Sequence, residues 1–246
     1  MNSCLEALFS FWERLEHGSV KPWLRQFKPY RSAELGGIRV AYKKHLDGGG
    51  REFGQDFIPF LRRRAMPRQR RVFEWCAGPG FIGFSLLGHG LAQTLCLADV
   101  NPAAVAACHR TVRDNDLADR VTIYLSDNLA AIPPSERFDL VVSNPPHFAD
   151  QFEREFGRGD RRAHDPGWRI HRDFFHKIGR FLNPGGVIVL QENNQGSSSD
   201  TFRDMIADAG LAMRFLDGET PPARDPQYYY IGLTRREDAP PDWARG

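Results

Sequence analysis

Between about residue 70 and residue 234 the chain alternates short apolar runs with segments of helical spacing, and this alternation restricts the fold more than any other feature. The runs are Arg71 to Cys76, Thr94 to Ala98, Val121 to Leu125, Phe138 to Ser143 and Val187 to Leu190, followed by Leu211 to Leu216 and Tyr228 to Thr234. Helical spacing begins at Phe81 and at Asn101-Pro102, spans Arg169 to Phe181, and resumes from about Asp200 to Ala209. Pro102 fits a first helical turn, where its missing N–H costs nothing. One of Ser197, Ser198 and Ser199 can cap the later helix. Asn183-Pro184-Gly185-Gly186 reads as a turn into the fifth strand. Strands alternating with helices predict an α/β fold, a doubly wound Rossmann-like sheet covered on both faces. We assign residues 69–246 to this unit.

Residues 1–68 lack that regularity and predict a short N-terminal cap that could recognise substrate. Leu5, Leu8, Phe9, Trp12 and Leu15 have helical spacing, which Lys21-Pro22 and Lys28-Pro29 interrupt. Ile38 to Tyr42 alternates like a strand, Asp47 to Gly50 reads as a turn, and Phe57 to Leu61 begins a helix that runs into Arg62-Arg63-Arg64.

Charge narrows the partners. The chain carries 33 basic and 31 acidic residues, a net charge of +2. A protein that grips many phosphates carries a basic excess, so nucleic acid is the less expected substrate. The basic clusters at Arg62–Arg64 and Arg68–Arg71 read as solubilising surface. Cys4, Cys76, Cys96 and Cys108 show no metal-ligand spacing, so buried free thiols and no metal are expected. No apolar run reaches the roughly 18 residues of a membrane span, and the N-terminus lacks a basic-then-apolar signal layout. A cytoplasmic location is expected.

The first strand leads into Glu74-Trp75-Cys76-Ala77-Gly78-Pro79-Gly80-Phe81-Ile82-Gly83. In a doubly wound sheet, ligands bind beyond the C-terminal strand ends. Gly78 and Gly80 let the backbone approach a ligand there, and the following helix N-terminus favours a carboxylate. Ala77 and Pro79 complete the turn. Asp99 closes the second strand, where a carboxylate can accept both ribose hydroxyls, and Val100 follows it. The same glycines also match the G-x-G-x-x-G of dinucleotide enzymes.

Asn144-Pro145-Pro146-His147 at the exit of the fourth strand discriminates between these readings. Two prolines stiffen the backbone and lack N–H groups, so the Pro145 carbonyl and the Asn144 side-chain oxygen can act as paired acceptors. Such a pair suits the two hydrogens of a planar –NH2. With the glycine turn, this corner resembles the class I S-adenosyl-L-methionine (SAM) dependent methyltransferases, in the Asn-Pro-Pro-Tyr branch of N-methyltransferases. That branch includes the release-factor and ribosomal-protein glutamine methyltransferases. The resemblance covers roughly residues 70–235 and implies SAM as cofactor and a seven-stranded sheet. It implies that Glu74 reaches toward the methionine amine, that Asp127 holds the adenine amino group and that Asn128 supports the ring through its N–H. It also implies that Asn144 borders the methyl group, with His147 in place of the usual aromatic ring that packs on the acceptor. Methyl transfer in such a site rests on proximity and orientation.

Candidate acceptor contacts are Gln55, in a glycine-rich stretch that could form a lid, Phe148 beside the corner, Trp168 in the charged 149–168 segment with Arg161, Arg162, His164 and Asp165, and Glu192 at the end of the fifth strand. The leading expectation is a small molecule or free amino acid such as arginine. A protein glutamine, an RNA or DNA amino group, and a catalytically silent SAM-binding protein are the alternatives.

Overall fold

A computed structural model describes residues 29–47, 50–149, 163–218 and 228–246. The helical spacing over Leu5 to Leu15, and Arg161 and Arg162, lie outside these residues.

The chain enters through a hairpin, β1 (Arg31–Leu35) and β2 (Ile38–Tyr42), then helix α1 (Gly50–Arg63). The α/β unit follows as β3 (Gln69–Trp75), α2 (Phe81–Gly88), β4 (Ala92–Asp99), α3 (Pro102–Asp114), β5 (Val121–Leu125) and β6 (Phe138–Ser143). It ends with α4 (Arg169–Ile178), β7 (Leu182–Asn193), α5 (Ser199–Asp208), β8 (Leu211–Asp217) and β9 (Tyr228–Arg235). The seven strands from β3 onward form one sheet in the order β5-β4-β3-β6-β7-β9-β8. Five are parallel, and β9 runs antiparallel to both β7 and β8.

The period of two in β3 sorts its side chains onto two cores. Val72 joins Leu95, Leu140 and Val187 beneath α1 and α2, whereas Phe73 and Trp75 join Phe138, Ile188, Phe174 and Phe202 beneath α4 and α5. Stacked pairs Phe73–Phe138 (4.7 Å between ring centroids) and Trp75–Phe174 (3.8 Å) fill the second core. Leu35, Val40, Phe57 and Leu61 belong to the first, so the described part of the N-terminal segment shares its core with the sheet.

The structure departs from the sequence expectations in two places that bear on the site. Helix α1 begins at Gly50, not near Phe57, and carries Pro59 inside it. From Gly50 on, the stretch expected to form a lid is therefore helical, and a β-carbon at Gly54 would come 2.7 Å from the Phe81 carbonyl; Gly48 and Gly49 lie outside the described residues. Strand β7 is also longer than expected. It runs from Leu182 to Asn193 and takes in the Asn183–Gly186 turn, with Gly185 at φ 73° and a register shift opposite β6. Asn101 accepts from the Ala103 N–H at 3.0 Å at the start of α3, and Ser198, one of the three serines expected to supply a cap, forms a capping box with Thr201.

Candidate active site

The order of strands reverses between β3 and β6, so the β3–α2 and β6 exits open beside each other at one sheet edge, where such folds bind ligands. Glu74 pairs with Val142, and the Ser143 hydroxyl donates to the Trp75 carbonyl at 2.6 Å. The Asn144 corner is thereby tied to the glycine turn. A cavity of about 470 Å³ lies between them.

Gly78 lies on its wall at φ 52°, with open space where a β-carbon would stand. The turn is braced from behind. The Gly78 N–H donates to Asp99 Oδ2 at 2.7 Å, and the Cys108 thiol donates to the Gly78 carbonyl at 3.3 Å. Asp99 Oδ1 accepts from the Asn101 N–H at 2.8 Å. Burial raises the Asp99 pKa, against these backbone donors. Gly80 does not line the cavity. It begins α2 at φ 81°, with the Phe84 ring 2.8 Å from where a β-carbon would be.

Glu74 is buried under the same turn, and burial lifts its pKa to about 8. Its oxygens accept from the N–H groups of Ile82 (3.3 Å) and Gly83 (2.7 Å), pinning the start of α2 to β3. An amine contact of the kind implied by the resemblance would have to use the remaining lone pairs.

Ala77, Pro79, Val100, Asp127 and Asn128 line the cavity as expected, and so do Asn144 and Pro146. Val100 is 63% exposed, an apolar side chain standing at the mouth. Asn128 adopts φ 53° and donates to the Ile170 carbonyl and to Asp173, while its buried Oδ1 has no donor among the described residues. Leu46, Phe81, Ile82 and Ile170 add apolar wall that the sequence did not single out. The donor set fits an adenosine-bearing ligand: carboxylates at Asp99 and Asp127, an unsatisfied acceptor at Asn128, apolar walls, and a glycine turn open to close approach.

Pro145 and His147 lie beside the cavity but not on its wall. His147 is buried, its Nε2 2.9 Å from Asn144 Oδ1 and its Nδ1 3.3 Å from Glu192 Oε2. It offers no free face to an acceptor, contrary to the resemblance. Asn144 Nδ2 donates to Gln191 Oε1 at 2.5 Å, and Gln191 Nε2 donates to the Tyr230 hydroxyl at 2.9 Å.

The acceptor contacts need revision. Glu192 is fully buried between His147 and His171 and cannot meet a substrate. Gln55 is exposed on α1, where it donates to the Arg51 carbonyl. Trp168 packs on Phe202 and His171, and Phe148 bridges to His164 and lies over Gly196. None lines either cavity described here. The second cavity, about 300 Å³, has Gln191, the partner of Asn144, in its lining. It is walled by Phe60, Tyr228 and Tyr230, with Asp56, Asp217 and Arg63 at its polar side. Among the described residues no group of three or more His, Cys, Asp or Glu side chains is placed to hold a metal ion, and no helix is long and apolar enough to cross a membrane.

A nucleoside-sized cleft at the switch point of a mostly parallel seven-stranded sheet defines a Rossmann-like cofactor-binding protein. More narrowly, the chain belongs to the methyltransferase small domain family, whose model matches residues 44–213. It is 30% identical over 132 residues to the release factor glutamine methyltransferase of Clostridium acetobutylicum, covering 50% of this chain and 46% of that one. It is 28% identical over 124 residues to ribosomal RNA small subunit methyltransferase C of Hahella chejuensis, covering 50% and 31%. The chain thus spans about half the length of the first relative and less of the second. In fold it is similar to the T. thermophilus 16S rRNA N2 G1207 methyltransferase in complex with AdoMet and guanosine. There the TM-score is 0.58 at 18% identity, covering 85% of this chain and 50% of that one.

Proposed function

We propose that the protein is a SAM-dependent N-methyltransferase whose acceptor is the side-chain amide of a protein glutamine. The observation that carries this reading is Asn144 on the wall of the cavity that also holds Gly78 and Asp99. Bound there, SAM supplies an activated methyl group on a sulfonium. Asp99 and the Gly78 turn would hold the sugar and amino-acid portions, and Asp127 and Asn128 would hold the base. The Asn144 side-chain oxygen would accept an N–H of the incoming amide and so help to hold its nitrogen in line; the Pro145 carbonyl, expected as the second acceptor, is not on the cavity wall. The proton leaves after transfer, so no general base is required of the site.

Relatives named for glutamine of translation proteins and for ribosomal RNA support a macromolecular acceptor over the free amino acid expected from sequence. The near balance of charge favours protein over RNA, and so does the pairing of Asp56 and Asp217 with aromatic walls in the second cavity. The test is Asn144→Ala, assayed with methyl-labelled SAM against separate protein and RNA fractions of translation extracts. The parent is expected to label the protein fraction. The variant is expected to bind SAM within about twofold by calorimetry and to lose transfer, because only interactions specific to the reacting geometry are removed. Label in RNA alone refutes the acceptor, and a variant that methylates at the parental rate refutes the role of Asn144.

A further inference from the structure

Behind the Asn144 corner lies a chain of buried polar side chains that methyl transfer as proposed above does not require. Asp165 stands at the turn before α4 and accepts from the N–H groups of Ile170 (2.8 Å) and His171 (3.0 Å). Its Oδ2 is 2.7 Å from His171 Nδ1. His171 Nε2 is 3.1 Å from Glu192 Oε1, and Glu192 Oε2 is 3.3 Å from His147 Nδ1. His147 Nε2 reaches Asn144 Oδ1 at 2.9 Å. Asp165, His171 and Glu192 are fully buried, and His147 is nearly so. Burying so many ionisable groups is costly unless each is paired, and here every one is paired in line.

The hydrogen inventory gives this line a direction. His171 faces a carboxylate at each nitrogen, so both contacts are hydrogen bonds when both nitrogens carry hydrogen. His147 likewise faces oxygen at both ends, the Glu192 carboxylate and the Asn144 carbonyl, so both of its contacts are hydrogen bonds when both of its nitrogens carry hydrogen. The Asn144 amide is then oriented from both sides. Its oxygen meets the imidazole Nε2–H, and its Nδ2 donates to Gln191, whose own Nε2 donates to the Tyr230 hydroxyl. Flipping Asn144 would set N–H against N–H at His147 and oxygen against oxygen at Gln191. One Oδ1 lone pair remains for a ligand. A Tyr or Phe ring at position 147, as in the family pattern the corner resembles, has no nitrogen to do this.

We infer that His147 is a positioning residue: anchored by Glu192, His171 and Asp165, it donates from Nε2 to Asn144 Oδ1 and so decides which end of that amide faces the methyl acceptor. The inference rests on the proposed transferase reading for its consequence, but the hydrogen bond itself does not.

The test has two arms. Ring-nitrogen NMR of the full chain labelled at histidine reads the hydrogen on His147 Nε2 directly, with no cofactor or acceptor. A hydrogen on Nε2 is expected. An Nε2 without hydrogen overturns the inference. In the second arm, His147→Phe keeps a ring and removes both donors, while His147→Gln keeps an N–H. With labelled SAM and the protein fraction that takes label, His147→Phe is expected to lower kcat about 10- to 100-fold. Half-saturating acceptor and the SAM Kd should stay within about threefold, and His147→Gln should recover part of the rate. A Phe variant at the parental kcat overturns the inference. If the parent binds no SAM and transfers no label, the transferase reading fails instead, and the NMR arm still decides the hydrogen bond. The same arm decides it if the Phe variant does not fold.

Discussion

Glu192→Gln changes one atom of a buried side chain and almost nothing in shape, so it isolates the electrostatics of the line behind the corner. Glu192 lies 3.1 Å from His171 Nε2 and 3.3 Å from His147 Nδ1, with no exposure to solvent. Removing one partner of a buried ion pair costs about 3–5 kcal/mol. Asp165 remains 2.7 Å from the other nitrogen of His171, so the lower end, about 3 kcal/mol, is expected near neutral pH. At about 2–4 °C per kcal/mol for a domain of this size, the melting temperature should fall by roughly 6–12 °C. The dependence on pH sharpens the test. Burial opposes charge on His171, but Glu192 and then Asp165 outweigh it and raise its pKa to about 9. Its folded value thus stands above the unfolded value near 6.5, so this stabilisation is complete below about pH 6.5 and is lost as pH rises through about 9. Above pH 9 Glu192 faces a neutral ring, and the cost of the substitution should shrink to under about 1 kcal/mol. Urea unfolding of parent and variant at pH 6.5 and pH 10 measures both differences. Equal costs at the two pH values would refute the reasoning, because the penalty would then owe nothing to the imidazolium.

Glu74 offers a second pH signature: burial lifts its folded pKa to about 8, above the unfolded value of about 4.5, so the parent should lose stability as pH rises through that range. Glu74→Gln should flatten this slope in melting curves taken from pH 5 to 9, and an unchanged slope would count against the assignment. Gly83→Ala would set a β-carbon 2.6 Å from Leu95 Cδ1 and 2.8 Å from Glu74 Oε2. Such overpacking should cost about 1–3 kcal/mol, read as a lower urea midpoint at unchanged slope.

Much of the scaffold was legible because its causes are local. Apolar runs bounded by turn residues marked all seven strands of the main sheet, the first-turn proline of Asn101-Pro102 marked one helix start, and the Ser197–Ser199 run marked another through capping chemistry. Gly78, Asp99, Asp127 and Asn144 share one cavity because strand ends in such a fold converge on one edge. The site failed to be legible where tertiary contact overrides local pattern. Gly48-Gly49-Gly50 suggested a flexible loop, yet helix α1 starts at Gly50 because its apolar face, with Phe57 and Leu61, finds the first core. Glu192 looked like a ligand group at a strand end, but α4 covers it. His171 gave no signal at all on an otherwise apolar helix face beside Phe174 and Phe175.

By itself the order of residues determined a doubly wound sheet, a glycine turn with a carboxylate one strand away, and a stiff corner carrying an amide. Periodicity, turn chemistry and proline geometry act over a few residues and need no knowledge of neighbours. Only the tertiary structure decided that His147 turns inward, since that depends on Glu192, His171 and Asp165 arriving from β7, α4 and the turn before it. A buried ionisable group takes the partner that packing brings within hydrogen-bond reach, and no spacing along the chain records that partner in advance.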